Sequence, residues 1–561
     1  MKKYKEYPPD VTIANIKSIL AQNNIKVKIT QSNNSYFYSC RIDICNKRLK
    51  KLGFGTNGKG MDESYSLASG YAELMERLQN KILLINNSIC FETHLKNLLL
   101  KQHIIDNDNN DNCLFYNTSE IEFYSVKEKC VRQFSAYNFL CQTGSNGMCA
   151  GNTTKEAITQ GICEIFERFA IDQIFNNKLS LPTIPIDYYK GTNLYKRINR
   201  YLKQNDNIKV IIKDCSLNQG LPVVGVLIID TVNQVYNFTL GADCNPIIAT
   251  ERCFTELFQN TKSIIGAPFS FNCEPNAWDL EKITTYGCGH WPISIFNDNT
   301  KFSFNPNSCF YSNEIENDLQ YCIKIIDKLG YDIYIRDNSF LGFPTYYIVI
   351  PGMSIKKNSN AVIGKFISQS DVLSKLGNIS NDELLKLTLE LEQGYNKYKG
   401  LVGVFNITKY FPANSNDDLQ ELDFDLFLSL SMYKLRLYDK FIFYMDNFLK
   451  GKNKNEYVYY WVAYNFVLLH QIQKLDIEST TNILCKCYGD ELAKEVISDM
   501  INPDKIFKYY KLPSYPDCSK CKLKKDCRID DLVQFCVELR KKDFDAKIDQ
   551  QNLAEVFDFE I

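Results

Sequence analysis

Glutamates recur in this chain at a spacing that could hold a metal ion. Ala72-Glu73-Leu74-Met75-Glu76-Arg77, Cys163-Glu164-Ile165-Phe166-Glu167-Arg168 and Thr255-Glu256-Leu257-Phe258-Gln259-Asn260 share one pattern: an acid, two apolar residues, then an acid or amide. Residues three apart share a helix face, so Glu73 with Glu76, and Glu164 with Glu167, would each present a carboxylate pair. Three such helices converging would pool these four carboxylates and add Glu256. Carboxylates that close repel one another unless a cation sits between them. An all-oxygen donor set suits Mg2+, which can itself hold phosphates.

The second repeat carries the most information. Glu156, Gln160, Glu164 and Glu167 stack along one helical stripe. An exposed stripe of that kind would simply be a solvated acidic face. Here Ile158, Ile162, Ile165, Phe166 and Phe169 cover most of the remaining circumference, which predicts a largely buried helix. Buried acids must be neutralised by metal or by arginine. Cations are close by in sequence: Lys59 in a Gly58-Lys59-Gly60 turn, Arg77 and Arg168 closing their motifs, and Arg252 one helical turn before Glu256. No Gly-x-x-x-x-Gly-Lys-Ser/Thr phosphate loop occurs. Lysine, arginine and Mg2+ are still the parts that clamp a triphosphate and offset charge in phosphoryl transfer. Salt bridges within a layer of helices are the competing account.

The elements that must position these residues follow from patterning. Residues 10–24 read as a helix and 25–44 as a strand pair; Asp62 or Ser64 can cap the helix of Glu73 and Glu76. Asp106 to Asn112 reads as a solvated loop. The segment Gly151-Asn152-Thr153-Thr154 is placed to cap a helix reaching about Ile174. Glycine-containing turns precede all three motifs, at Gly58–Gly60, Ala150–Asn152 and Gly241–Asp243. Residues 209–242 alternate short β-branched runs, and 331–354 suggests two more strands joined at Phe340-Leu341-Gly342. Repeated units of mixed strands and helices predict an α+β (mixed α/β) domain over 1–410. From 411 to 561 the texture becomes helical, as in 426–449 and 458–475, with no convincing strand, which predicts a separate all-helical domain of helix-hairpin (TPR-like) type.

Composition sets bounds. The 561 residues carry 65 basic and 66 acidic side chains, so the balance gives no reason to expect nucleic acid or an anionic membrane as partner. No apolar run approaches a membrane span. The start runs Met1-Lys2-Lys3-Tyr4-Lys5 into Pro8-Pro9, which reads against a signal peptide. Twenty-one cysteines are then expected as reduced thiols in a cytoplasm, many of them small core residues. Four histidines, none at metal-ligand spacing, do not point to imidazole chemistry. A homodimer is left open.

The three acidic helices, the segment Ser145-Asn146-Gly147-Met148-Cys149-Ala150-Gly151-Asn152-Thr153 and the phrase Ile350-Pro351-Gly352-Met353-Ser354 resemble the YcaO family. The resemblance covers roughly the first 400 residues and is nearest to the stand-alone enterobacterial type with a helical C-terminal domain. It is more distant from azoline-forming members, whose chains end in a Pro-x-Pro-x-Pro tail; this chain ends Phe557-Asp558-Phe559-Glu560-Ile561. No peptide-clamp or ThiF-like domain is expected before the core. The resemblance implies an ATP- and Mg2+-dependent enzyme that O-phosphorylates a backbone amide of a peptide or protein. A thiol, hydroxyl or sulfide then attacks the activated carbon. It implies that Glu73, Glu76, Glu164 and Glu167 ligate Mg2+, with Glu156 in the same site. Ser69, Asn152, Gln160, Arg168 and Arg252 would contact nucleotide, joined by Lys5 and Thr12 from the N-terminal stretch. Cys149 stands where a serine is usual. No catalytic acid or base is assigned. Similar proteins serve as accessory factors to a radical-SAM methylthiotransferase acting on a small-subunit ribosomal protein, which makes such an enzyme the expected partner.

One motif is left over. Cys518-x2-Cys521-x5-Cys527, followed by Cys536, has spacing that could hold Zn2+, and also resembles the auxiliary iron–sulfur segment of SPASM-type radical-SAM proteins. Unrelated thiols in a cysteine-rich chain are the alternative. The reading favoured by the residues together is an ATP- and Mg2+-dependent amide-activating enzyme, acting as accessory factor in thio-modification of a ribosomal or other protein. The rivals are an azoline- or thioamide-forming enzyme of a peptide natural-product pathway, and a non-catalytic ATP-binding scaffold.

Overall fold

A computed structural model describes residues 5–33, 36–46, 54–80, 120–135, 143–259, 261, 264–270, 274–306, 314–354, 379–397, 404–405, 422–450, 452–507 and 529–559. The Asp/Asn run at 106–112 lies outside them. The chain forms two compact units. One comprises Met1–Asn86, Phe91–Lys357 and Asp526–Ile561; the other comprises Asn87–Cys90 and Asn358–Lys525. This cut differs from the change of sequence texture at 411, since the last helix belongs to the first unit and the long stretch of the second starts at Asn358.

The first unit is α+β, and its described residues form three antiparallel sheets. After helix α1 (Pro9–Gln22), strands β1 (Val27–Asn33), β2 (Tyr38–Ile44) and β3 (Gly55–Gly60) pair in sequence order, and helix α2 (Glu63–Gln79) lies on them. The second sheet runs β11-β10-β9-β8-β7, from strands β7 (Thr183–Ile184), β8 (Ile208–Asp214), β9 (Val223–Asp230), β10 (Val235–Ala242) and β11 (Ala267–Pro268). The third runs β5-β4-β12-β13-β6, from β4 (Glu120–Ser125), β5 (Cys130–Ser135), β6 (Met148–Ala150), β12 (Tyr334–Asp337) and β13 (Thr345–Val349). Helix α3 (Thr154–Asn176) packs on β6 and β13 of the third sheet and on β9 and β10 of the second. Helices α4 (Asn193–Gln204), α5 (Pro246–Leu257), α6 (Ala277–Tyr286) and α7 (Ile315–Lys328) also belong to this unit.

Packing explains why α3 has no simple amphipathic stripe. Ile158, Ile162, Ile165 and Phe166 are fully buried in a cluster that also takes in Phe238, Trp291 and Ile348. Each such side chain contributes roughly 2–3 kcal/mol of burial. Capping follows the sequence: Asp62 accepts from Tyr65 N, Thr153 from Glu156 N and Asn245 from Ile247 N.

The Gly58-Lys59-Gly60 segment is strand, not turn. It ends β3, and burial alternates so that Thr56, Gly58 and Gly60 are buried while Asn57 and Lys59 are not. The glycines are needed for close approach. A Cβ on Gly58 would stand 2.0 Å from Ser66 O and 2.5 Å from Gly70 N of α2. Gly241 repeats the device in β10, where a Cβ would meet Ala249 O of α5 at 2.4 Å. Motif and element also part company in the third repeat: α5 stops at Leu257, so Gln259 lies past the helix end.

The second unit is helical, with α8 (Asn381–Lys397), α9 (Phe424–Lys434), α10 (Tyr438–Leu449), α11 (Val458–Phe466), α12 (Ile477–Tyr488) and α13 (Asp490–Ile501). The run read as one helix over 426–449 breaks at Leu435–Leu437, where Arg436 has φ 60°. One short pairing, Val404–Phe405 with Leu422–Asp423, supplies the strand that sequence did not suggest. Helix α14 (Ile529–Ala546) returns to the first unit, placing Leu539 in the core beside α1 and α2. Among the described residues no helix is long and apolar enough to cross a membrane.

Candidate nucleotide and metal site

All twelve acidic and polar positions singled out in the first unit line one cavity of about 500 Å³. Helix α2 supplies Ser69, Glu73 and Glu76, and α3 supplies Glu156, Gln160, Glu164, Glu167 and Arg168. Arg252 comes from α5, Asn152 from the approach to α3, and Lys5 and Thr12 from the N-terminal segment. Lys59, Arg77, Glu256 and Gln259 also reach the wall. Sequence reasoning missed Asn57, Tyr65 and the stretch Thr284–Gly287 at the C-terminal end of α6. The alternation of β3 would have found Asn57 beside Lys59; Thr284–Gly287 carries no motif.

The carboxylates sense one another across helices. Glu76 is pushed up to about 8, first by burial and then, against the pull of Arg77, by the charges of Glu164 and Glu73. Burial also raises Glu73 and Glu167, opposed chiefly by Arg77 and Arg168 respectively. Glu73 keeps 34% of its side-chain exposure and Glu76 15%, and both line the cavity. Burial lowers Lys59, an effect opposed by Glu167 and Glu73; its ammonium pairs with Glu256. Cys149, beneath this cluster in β6, is held well above the usual thiol range by burial and then by Glu76 and Glu164.

Glu156 stands apart from the other acids. Its carboxylate accepts from Glu6 N at 3.0 Å and from Asn152 Nδ2 at 3.1 Å, and lies 3.5 Å from Lys5 Nζ. Burial alone would raise it, but Lys5 and these hydrogen bonds outweigh burial and keep it low. Its oxygens are already engaged by protein donors, and they fasten the N-terminal segment to α3. Thr12 Oγ1 adds a 2.6 Å hydrogen bond to Asn152 Oδ1.

The opposite charges of a metal–anion ligand fit this wall. Acids raised by burial and mutual repulsion are groups a divalent cation would stabilise in charged form. On the other side, Arg168 donates through Nη1 to Thr284 O at 3.3 Å, while its buried Nε has no acceptor among the described residues. Arg252 Nη2 donates to Gln160 Oε1 at 3.0 Å, which sets one cation of α5 against the acidic stripe of α3. The wall thus combines cation-seeking carboxylates with anion-seeking guanidinium groups.

Of the remaining cysteine motif, Cys518, Cys521 and Cys527 lie outside the described residues, and Cys536 falls within α14.

The family model described as YcaO cyclodehydratase, ATP- and Mg2+-binding, matches residues 57–354. The Escherichia coli ribosomal protein S12 methylthiotransferase accessory factor YcaO is 30% identical over 219 residues, 37% of this chain and 36% of that protein. An uncharacterized Haemophilus influenzae protein is 28% identical over 220 residues, again 36% of its length. The match thus spans about a third of each relative. Among solved structures, a heterocyclase in complex with substrate and cofactor aligns with TM-score 0.44 and 18% identity, over 62% of this chain and 53% of that one. A YcaO from Methanopyrus kandleri bound with AMPPCP and Mg2+ aligns with TM-score 0.43 and 14% identity, over 62% of this chain and 92% of that one.

Proposed function

The chain belongs to the YcaO family, and from that premise we propose that it spends ATP to O-phosphorylate a backbone amide of a peptide or protein. In this reading the amide oxygen bonds to the γ-phosphorus of ATP and the bond to the ADP oxygen breaks. A thiol, hydroxyl or sulfide then adds to the amide carbon, loses its proton, and phosphate leaves with the electrons of the former C–O bond. The observation that carries the proposal is the convergence of Glu73, Glu76, Glu164 and Glu167 on one cavity wall with Lys59, Arg168 and Arg252.

Glu73, Glu76, Glu164 and Glu167 would hold Mg2+, while Glu156 holds Lys5 and the segment after it in place. Bound there, Mg2+ would neutralise phosphate charge as it builds in the transition state. Arg168 and Arg252 orient the phosphate chain, and Gln160 keeps Arg252 turned inward. Ser69, Asn152, Lys5 and Thr12 complete the nucleotide contacts. Burial of the acids excludes water that would otherwise screen these charges.

The identity match to an accessory factor supports a finer role: assisting a radical-SAM methylthiotransferase in thio-modification of a ribosomal or other protein. The test begins with proteome mass spectrometry with and without the chain, which should reveal a peptide bearing sulfur in place of oxygen, or an added methylthio group. That peptide is then made with 18O at the affected amide. Label appearing in the released inorganic phosphate is the expected result. Phosphate free of label overturns amide O-phosphorylation, and ATP turnover absent under every condition leaves a nucleotide-binding scaffold.

A further inference from the structure

We infer that Cys163, Cys244 and Cys322 form a second metal site, for one thiophilic divalent ion such as Zn2+. The three come from separate elements: Cys163 from α3, Cys244 from the corner between β10 and α5, and Cys322 from α7. Their sulfur atoms all lie within 4.8 Å of one another, and Cys244 Sγ and Cys322 Sγ are 3.5 Å apart. Zinc–sulfur bonds of about 2.3 Å in a tetrahedron set sulfur atoms about 3.8 Å apart, inside that range. A disulfide needs about 2.05 Å, so these two thiols are not bonded to each other.

Buried cysteines commonly act as small apolar residues. These differ in that three elements turn their thiols toward one another, with an acid beside them. Asp318 is 2% exposed and lies one helical turn before Cys322, and its backbone carbonyl accepts from Cys244 Sγ at 3.7 Å. Without metal, hydrogen bonding to Cys163, then to Cys322, and then burial hold Cys244 well above the usual thiol range; hydrogen bonding to Cys163 and burial, against the hydrogen bond with Cys244, do the same for Cys322. Thiols bind metal as thiolates, so loading the ion would release protons and affinity would fall with falling pH. The ion would fasten α7 to α3 and to the start of α5, the two helices that carry Glu164 and Arg252. Nothing in this depends on which reaction the cavity performs.

The test uses the full chain with Cys518, Cys521 and Cys527 changed to Ser, so that the C-terminal motif cannot contribute. Metal analysis of this protein from zinc-supplemented cells should find about one zinc per chain. Replacement by Co2+ should give intense sulfur-to-cobalt charge-transfer bands with tetrahedral d–d bands. Adding Cys244→Ser and Cys322→Ser should cut zinc at least tenfold. Should that variant fail to fold, the parent decides: unfolding it in a chromophoric chelator should release about one zinc. Release of no zinc overturns the site, whether the thiol count is complete or two short, the latter marking an oxidised Cys244–Cys322 pair.

Discussion

Lys5 Nζ donates to Gln160 Oε1 at 2.6 Å, joining the N-terminal segment to the middle of the acidic stripe on α3. The same segment approaches Glu156 through Lys5 and Glu6, and Asn152 through Thr12, so it forms one wall of the cavity. Lys5→Ala removes one charge-assisted hydrogen bond worth about 1.5 kcal/mol. Binding of an Mg2+–ATP analogue should weaken about tenfold in calorimetry, alongside a loss of thermal stability of about that size. An unaltered Kd would remove Lys5 from the site.

Glu164→Gln keeps shape and deletes one charge from the acids that oppose Glu76. Mg2+-dependent ATP turnover should fall by about a hundredfold or more, the scale for loss of a group that stabilises transition-state charge. The metal-free protein should become more stable, since one source of like-charge repulsion is gone. Kinetics and calorimetric melting check the two arms separately. A variant that loses both activity and metal-free stability would mark Glu164 as a structural ion-pair partner instead.

Periodicity made the stripe Glu156-Gln160-Glu164-Glu167 legible, because a 3.6-residue repeat survives whatever packs around it. Flanking glycines suggest a turn at Lys59, yet those glycines serve the contact with α2, and the alternation that marks a strand is hidden when half its positions lack side chains. The break at Arg436 shows neither glycine nor proline to announce it. Cys163, Cys244 and Cys322 have no informative spacing at all; only the packing of α3, α5 and α7 brings them together. Local pattern thus revealed residues that share an element, while contacts between distant elements emerged only from the fold.

The acids predict an unusual pH response. Glu76 titrates near 8 in the folded chain, above its value in an unfolded one, and Glu73 and Glu167 shift in the same direction. A raised acid contributes stability that is complete below its unfolded pKa, about 4.3, and is lost as pH rises through the folded value. Glu156 is lowered and acts oppositely, its contribution present above about 4.3 and lost as pH falls further. Metal-free stability should therefore peak in mildly acidic solution and decline toward pH 8 by up to about 1.4 kcal/mol per pH unit per titrating acid. An Mg2+–ATP analogue should flatten that decline. Urea unfolding across this range, with and without the analogue, checks both; metal-free stability that rises steadily toward pH 8 would sink the idea.

Gly58 tests whether the approach of α2 to β3 sets the site. A methyl group there would press on Ser66 O and Gly70 N, backbone atoms that can yield only if the helix shifts. That shift would carry Glu73 and Glu76 with it, since both ride on α2. Gly58→Ala should cost about 3 kcal/mol or more of stability, at the upper end for overpacking, and should weaken nucleotide binding in the fraction that stays folded. Gly191 provides the control. Its φ of 88° strains any L-residue, but a Cβ there meets nothing within 4 Å. Gly191→Ala should cost only about 1–2 kcal/mol from the backbone and leave nucleotide affinity intact. Equal affinity in the two folded variants, measured by calorimetry well below either melting temperature, would show that the acids do not depend on this contact for their placement.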